Sequence, residues 1–213
     1  MSTEKFSKAE AVTFGWETMK SNFWFLVGVL IMGSLIPFVP YILAEAVKKN
    51  IRALYIIFKI IEIALELIIS LGMIKIALKL CDKQKPAIKD LFSCVNLFPE
   101  YLISSVIYAL IILGGLVLLI VPGIIGGIKF QFIGYFIVEK GAGPIEALKR
   151  SAAITRGAKW DLFLFALLLM LINLVGLLAL IIGLFATIPV TMMANAFVYR
   201  KLLSQVETAT AQA

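Results

Sequence analysis

The sequence predicts an all-α, polytopic membrane protein: six transmembrane helices arranged as three hairpins, each preceded by a short amphipathic interfacial helix. Two observations carry this. The chain is 62% hydrophobic and only 15% charged over 213 residues, with a mean hydropathy of +1.02, whereas soluble domains hold roughly 45–50% apolar and about 25% charged residues. The second is an internal repeat. Glu10-Ala11-Val12 leads to Met19-Lys20 and Trp24, Glu146-Ala147-Leu148 leads at the same offset to Thr155-Arg156 and Trp160, and Pro86-Ala87-Ile88 precedes Tyr101 with similar spacing.

The elements follow in order. Phe6, Ala9, Val12, Trp16, Met19 and Phe23 recur at spacings of three and four, one face of a helix lying in the membrane interface. Apolar runs then fall at 23–45, 54–80, 101–121, 122–138, 160–180 and 181–202; a span needs about 20 residues. Pro37 and Pro40 predict a kink near the outer end of the first span. The second lead-in aligns Ile88, Leu91, Phe92, Val95 and Phe98, and the third, Ile145 to Lys159, is the most basic, with Ser151 and Thr155 turned to water or a partner. Val121-Pro122-Gly123 and the stretch from Gly176 to Pro189 break longer apolar runs into tight hairpins. The glycines Gly114, Gly115, Gly123, Gly126 and Gly127 permit close helix approach. The repeat units run from about 6 to 82, 86 to 140 and 144 to 203 within one membrane domain, with 204–213 as a disordered tail.

Basic residues set the orientation. Lys5, Lys8, Lys20, the lysines from 75 to 89, Lys140, Lys149, Arg150, Arg156, Lys159, Arg200 and Lys201 fall on one side, and chiefly Lys48, Lys49 and Arg52 on the other. The positive-inside bias places both termini in the cytoplasm. Trp16, Lys20, Trp24, Lys149, Arg150, Arg156 and Trp160 form the expected interface set. The net charge of +7 is accounted for by topology and anionic headgroups, with membrane lipids as partners and a protein partner or self-association left open; nucleic acid is not expected. An uncleaved first span is expected, since Ala44-Glu45-Ala46 follows a long apolar run behind an acidic N-terminus.

The stretch from Gly143-Pro144-Ile145-Glu146-Ala147-Leu148-Lys149-Arg150-Ser151 through Thr155-Arg156-Gly157 to Trp160, with Pro122-Gly123 ahead of it, resembles a group of uncharacterised prokaryotic membrane proteins. The group includes the YciC-like inner-membrane proteins and the membrane domain attached to some glycerophosphodiester phosphodiesterases. The resemblance implies a six-helix fold in the cytoplasmic (inner) membrane of a prokaryote and an association with lipid metabolism or envelope homeostasis. It implies no catalytic residues.

Catalysis needs titratable or nucleophilic groups in mutual reach. The chain has no histidine, and neither a nucleophile elbow nor a zinc-protease motif nor a phosphate loop. Cys81 and Cys94 match no metal or redox spacing. No enzyme and no cofactor are therefore expected. The remaining candidates are ionisable groups inside spans. Lys59, Glu62, Glu66 and Ser70 form one stripe on the second span, Lys129 sits centrally in the fourth, and Gln131 and Asn173 can join them. The expectation is that Glu66 meets Lys129 across the bundle. Three readings of that pair stay open: a buried ion pair fixing register, a solvated path for a substrate or ion, or a Glu66 kept neutral. The functional expectation is a non-enzymatic scaffold or accessory factor in membrane and lipid homeostasis; the alternative is a small permease lined by Glu62, Glu66 and Lys129.

Overall fold

In the computed structural model, which describes residues 5–49, 51–179 and 182–211, the chain is helical, with no strand among those residues. The α-helices are α1 (Lys8–Ser21), α2 (Phe23–Val47), α3 (Arg52–Cys81), α4 (Phe98–Leu118), α5 (Ile120–Phe130), α6 (Ile133–Lys140), α7 (Pro144–Ile154), α8 (Lys159–Leu178) and α9 (Leu184–Ala211). Two 3-10 turns, Ile88–Phe92 and Val95–Leu97, precede α4.

Local chemistry starts and stops these elements. The Ser7 hydroxyl accepts the Glu10 N–H at 3.2 Å and caps α1, whose Glu10 and Lys20 suit the helix dipole at its two ends. Pro99 and Pro144 sit in the first turns of α4 and α7, where a missing N–H costs nothing. Gly141 closes α6 at φ +60°, a conformation that favours glycine.

Helices α2 and α3 pack as one hairpin, α4 and α5 as a second, and α8 and α9 as a third, while α1 lies along α9 and α7 along α6. The expected lead-ins thus precede the three hairpins, but the middle one is 3-10 rather than α-helical. Its Asp90 explains why: the carboxylate accepts the Ala87 N–H at 2.7 Å and both oxygens take Lys79 Nζ at 2.8 Å, clamping a tight turn against α3.

Among the described residues, four helical stretches are long and apolar enough to cross a membrane: Phe23–Val47, Ile88–Leu118, Ile120–Lys140 and Lys159–Leu178. Six were expected. In α3, the charges of Lys59, Glu62, Glu66, Lys75 and Lys79 interrupt every span-length stretch. In α9 the apolar half gives way to Asn195, Arg200 and Lys201, and the helix is lined by protein, with Val190, Met193, Ala194, Val198, Tyr199 and Leu202 all buried.

Further expectations shift by a few residues. The break in the second hairpin is the single extended residue Leu119, not Val121-Pro122-Gly123, and Pro122 opens α5. Helix α2 runs unbroken through Pro37 and Pro40, both buried. Residues 204–211, expected as a disordered tail, continue α9; Gln212 and Ala213 lie outside the described residues.

Burial is uneven along the hairpins. The core gathers at the end where α1, α6, α7 and the second half of α9 meet, around Tyr199, Phe132, Phe136, Phe165 and Ile137. We call this the closed end. Toward the hairpin tips, the open end, Leu113, Val117, Leu118, Ile120, Leu174 and Leu178 are exposed. Burial there occurs within single hairpins, as where Gly115 of α4 abuts Gly123 of α5 too closely for a side chain.

Candidate functional site

The stripe on α3 faces α2. Glu62, Glu66 and Ser70 line a lateral groove of about 470 Å³ together with Ser34, Phe38 and Tyr41. Lys59 Nζ stands 2.8 Å from Glu62 Oε2 and 4.8 Å above the Tyr41 ring, so an ammonium is already held between a carboxylate and an aromatic face at the outer part of the groove. Ser70 hydrogen-bonds the Tyr101 hydroxyl at 3.1 Å, tying the inner end of the stripe to α4. The Gly33 carbonyl on the opposite wall loses its usual helical donor, because the residue four positions on is Pro37.

Glu66 and Lys129 do not meet. Glu66 is exposed in the groove, and α5, which carries Lys129, packs on α4, α7 and α8 rather than on α3. Lys129 instead places its ammonium 4.9 Å from the Phe130 ring. The expected pairing assumed one closed ring of helices. The hairpins separate toward their tips, so two residues at matching depth face different surroundings.

The expected fourth span is broken between α5 and α6 at Gln131 and Phe132. A break inside a helix frees backbone groups that must find partners. Helix α7 supplies them. Ser151 Oγ donates to the Lys129 carbonyl at 3.0 Å and accepts the Phe132 N–H at 3.2 Å, and Thr155 Oγ1, 2.9 Å from the Ser151 carbonyl, shares its hydrogen with the Lys129 carbonyl at 3.2 Å. Ser151 and Thr155 are fully buried. This corrects the expectation that they face water or a partner: their four-residue spacing places both on the face of α7 that also buries Ala147 and Leu148.

Gln131 lies at the break, its Nε2 buried without a hydrogen-bond partner, beside a small cavity of about 70 Å³ that Tyr101, Ser104, Ser105 and Tyr108 also line. Asn173 faces α9, where its Nδ2 reaches Thr191 Oγ1 at 3.5 Å and its Oδ1 is unpartnered. The expected polar site is therefore three separate places: the α2–α3 groove, the α5–α6 break, and the α8–α9 contact.

The residues expected at the interface are exposed: Trp16, Trp24 and Trp160 are 47%, 82% and 70% exposed. Lys20 Nζ lies 5.8 Å from the Trp16 ring, Arg150 pairs with Glu146 at 2.7 Å, and Lys149 and Arg156 are exposed.

Sequence reasoning missed an ionic knot. Arg200 bonds Glu139 at 2.6 Å and Asp82 at 2.7 Å, and the Tyr199 hydroxyl donates to the other Glu139 oxygen at 2.6 Å. The knot joins α3, α6 and α9, one from each hairpin unit. The only sequence signal for it is an acidic residue at each of two span ends beside otherwise basic neighbours.

The family model for a domain of unknown function, DUF7847, matches residues 91–211. The chain belongs to this family. The matched part holds the second and third hairpins, with the broken helix, Ser151, Thr155 and the Glu139–Arg200 pair; the α2–α3 groove lies outside it. An uncharacterized protein of Mycobacterium bovis and one of Mycobacterium tuberculosis are each 31% identical over 139 residues, covering 65% of this chain and 42% of the relative. The chain thus spans well under half the length of these curated relatives. No solved structure matches it.

Proposed function

We propose that this DUF7847 protein is a non-enzymatic, lipid-associated protein of the cytoplasmic membrane, with six spanning helices and both termini cytoplasmic, serving as a scaffold or accessory factor in membrane and lipid homeostasis. The observation that carries this reading is the division between the two ends. The three hairpins are locked together by buried packing and ion pairs at the closed end, while their flanks toward the open end present Leu, Ile and Val outward. Such flanks suit acyl chains or an apolar partner helix.

The three exposed tryptophans and their basic neighbours support placing the closed end at a membrane surface, on the side that carries most of the lysine and arginine. Helices α3 and α9 complete the six in this reading: α3 at about 45 Å is long enough to cross, and α9 is screened from lipid by its neighbours. The Pro-Gly element and the Ser151, Thr155 and Gly157 pattern support kinship with the YciC-like proteins and with the membrane domain of some glycerophosphodiester phosphodiesterases.

Native mass spectrometry of the protein released from its own membrane tests this reading. Selective retention of a phospholipid class or a stoichiometric membrane-protein partner is the expected result; a protein that holds no lipid preferentially and captures no partner overturns it.

A permease is the second reading, favoured by the groove with Glu62 and Glu66 and by the broken α5–α6 helix, because transporters place discontinuous helices at their binding sites. Solute uptake into proteoliposomes that is abolished by Glu66→Gln supports it; uptake indifferent to that change removes it.

A further inference from the structure

A trough runs along the closed end where α7 passes the last turns of α9. Its two adjoining hollows, about 420 and 380 Å³, share Ile154 and Val206 as their common wall. The second hollow combines the floor of Ile154, Leu202 and Val206 with the basic side chains of Lys5 and Arg156.

The segment bearing Lys5 is strapped in place at three points. Its backbone N–H reaches Asp161 Oδ2 at 3.4 Å, its carbonyl accepts Gln205 Nε2 at 2.5 Å, and Lys8 Nζ holds the other Asp161 oxygen at 3.2 Å. Gly157, at φ +80°, turns the chain directly after Arg156, and the Lys5 stem lies over it: a Cβ there would stand 3.7 Å from Lys5 Cε. The ammonium of Lys5 and the guanidinium of Arg156 therefore flank one opening. The acidic groups nearby are engaged elsewhere, Asp161 by Lys8 at 3.2 Å and Glu207 by Lys140 at 3.6 Å.

Two cations at the mouth and an aliphatic floor suit a ligand with an anionic head and an apolar body. Depth decides its source. Arg156 lies four residues before Trp160, which is 70% exposed, in the turn between α7 and α8, so the opening lies close to an exposed tryptophan of the kind that sits at headgroup level, where phospholipid phosphates lie. We propose that this trough binds the phosphate of an anionic phospholipid, with Arg156 and Lys5 on its oxygens and Ile154, Leu202 and Val206 against the first part of an acyl chain. The site rests on the lipid-associated reading above and gives it a location.

The test uses the full chain in a zwitterionic detergent, with phosphatidylglycerol, phosphatidylcholine and inorganic phosphate as separate probes, read by native mass spectrometry and by thermal shift. Phosphatidylglycerol is expected to bind and raise Tm more than phosphatidylcholine. The Lys5→Gln/Arg156→Gln variant is expected to weaken that binding by at least about tenfold, since two charge-assisted hydrogen bonds are lost, while its Tm without lipid stays at the wild-type value. Lys85→Gln/Lys89→Gln removes the same charge from exposed positions outside the trough and is expected to bind as the wild type does.

Equal weakening in both double variants overturns the site in favour of diffuse surface charge. Undiminished binding by Lys5→Gln/Arg156→Gln overturns the site and leaves the lipid-associated reading intact. Inorganic phosphate reproducing the full shift overturns the lipid assignment. A wild-type protein indifferent to every phospholipid overturns both the site and its share of the proposed function.

Discussion

The closed and open ends of this molecule are built from the same helices by different physics. At the closed end, α6 and α9 bury aromatic rings against one another, with Tyr199 touching Tyr135 at 4.9 Å and Phe136 at 5.3 Å between ring centroids, and α7 adds the buried Ala147, Leu148 and Ile154. The ion pairs there are backed by hydrogen bonds. At the open end, Val117 is 86% and Leu178 75% exposed, and close contacts such as Gly115 to Gly123 and Gly176 to Thr187 fall within single hairpins. In the proposed membrane setting, lipid tails are as apolar as leucine, so no hydrophobic force would draw the tips together. The packing that joins the three hairpins therefore resides at the closed end, and it is the exposed open end that the proposed function assigns to lipid or a partner.

That contrast can be broken by substitution, beginning where the largest effect is expected. Tyr199→Ala removes a fully buried ring and leaves Glu139 with one partner fewer, which is expected to cost about 3–5 kcal/mol in detergent unfolding; Tyr199→Phe, which keeps the ring, is expected to cost about 1.5–3 kcal/mol. Ser151→Ala with Thr155→Val strips the α5–α6 break of its side-chain partners, and each backbone group left bare is expected to cost about 1–3 kcal/mol, with Thr155→Ser recovering part of the loss.

Gly15 comes next. A Cβ there would strike the Val190 carbonyl where α1 crosses α9, so Gly15→Val is expected to cost about 1–3 kcal/mol through overpacking. Leu113→Ala at the open end and Glu66→Gln in the groove are expected to stay within about 0.5 kcal/mol of the wild type in the same assay. A Leu113→Ala loss as large as that of Tyr199→Ala would erase the distinction between the ends.

Much of this plan was legible in the sequence, because hydropathy breaks and a recurring offset are local signals. Three lead-ins and three hairpins follow from spacing, and the close approach at Gly115 from the glycines themselves. The break at Gln131 and Phe132 did not announce itself, since neither residue is a helix breaker; it is stabilised by Ser151 and Thr155 on another element, and only the tertiary contact reveals their role. Pairing Glu66 with Lys129 failed for a related reason. Depth along a helix can be read from hydropathy, but which hairpin faces which is set by packing at the closed end. The charged α3 shows the converse: Lys59 and Glu62 neutralise each other within one helix face at 2.8 Å, a pairing that their spacing of three already permits.

Distances between paired spin labels in reconstituted protein test the central claim most directly. One pair, at Leu43 on α2 and Val117 on α4, reports on two hairpin tips; the other, at Thr13 on α1 and Ser204 on α9, reports on the closed end. A narrow distribution is expected for Thr13–Ser204 and a clearly broader one for Leu43–Val117. Distributions of equal width, with the tips held as firmly as the helices around Tyr199, would contradict the division between the two ends.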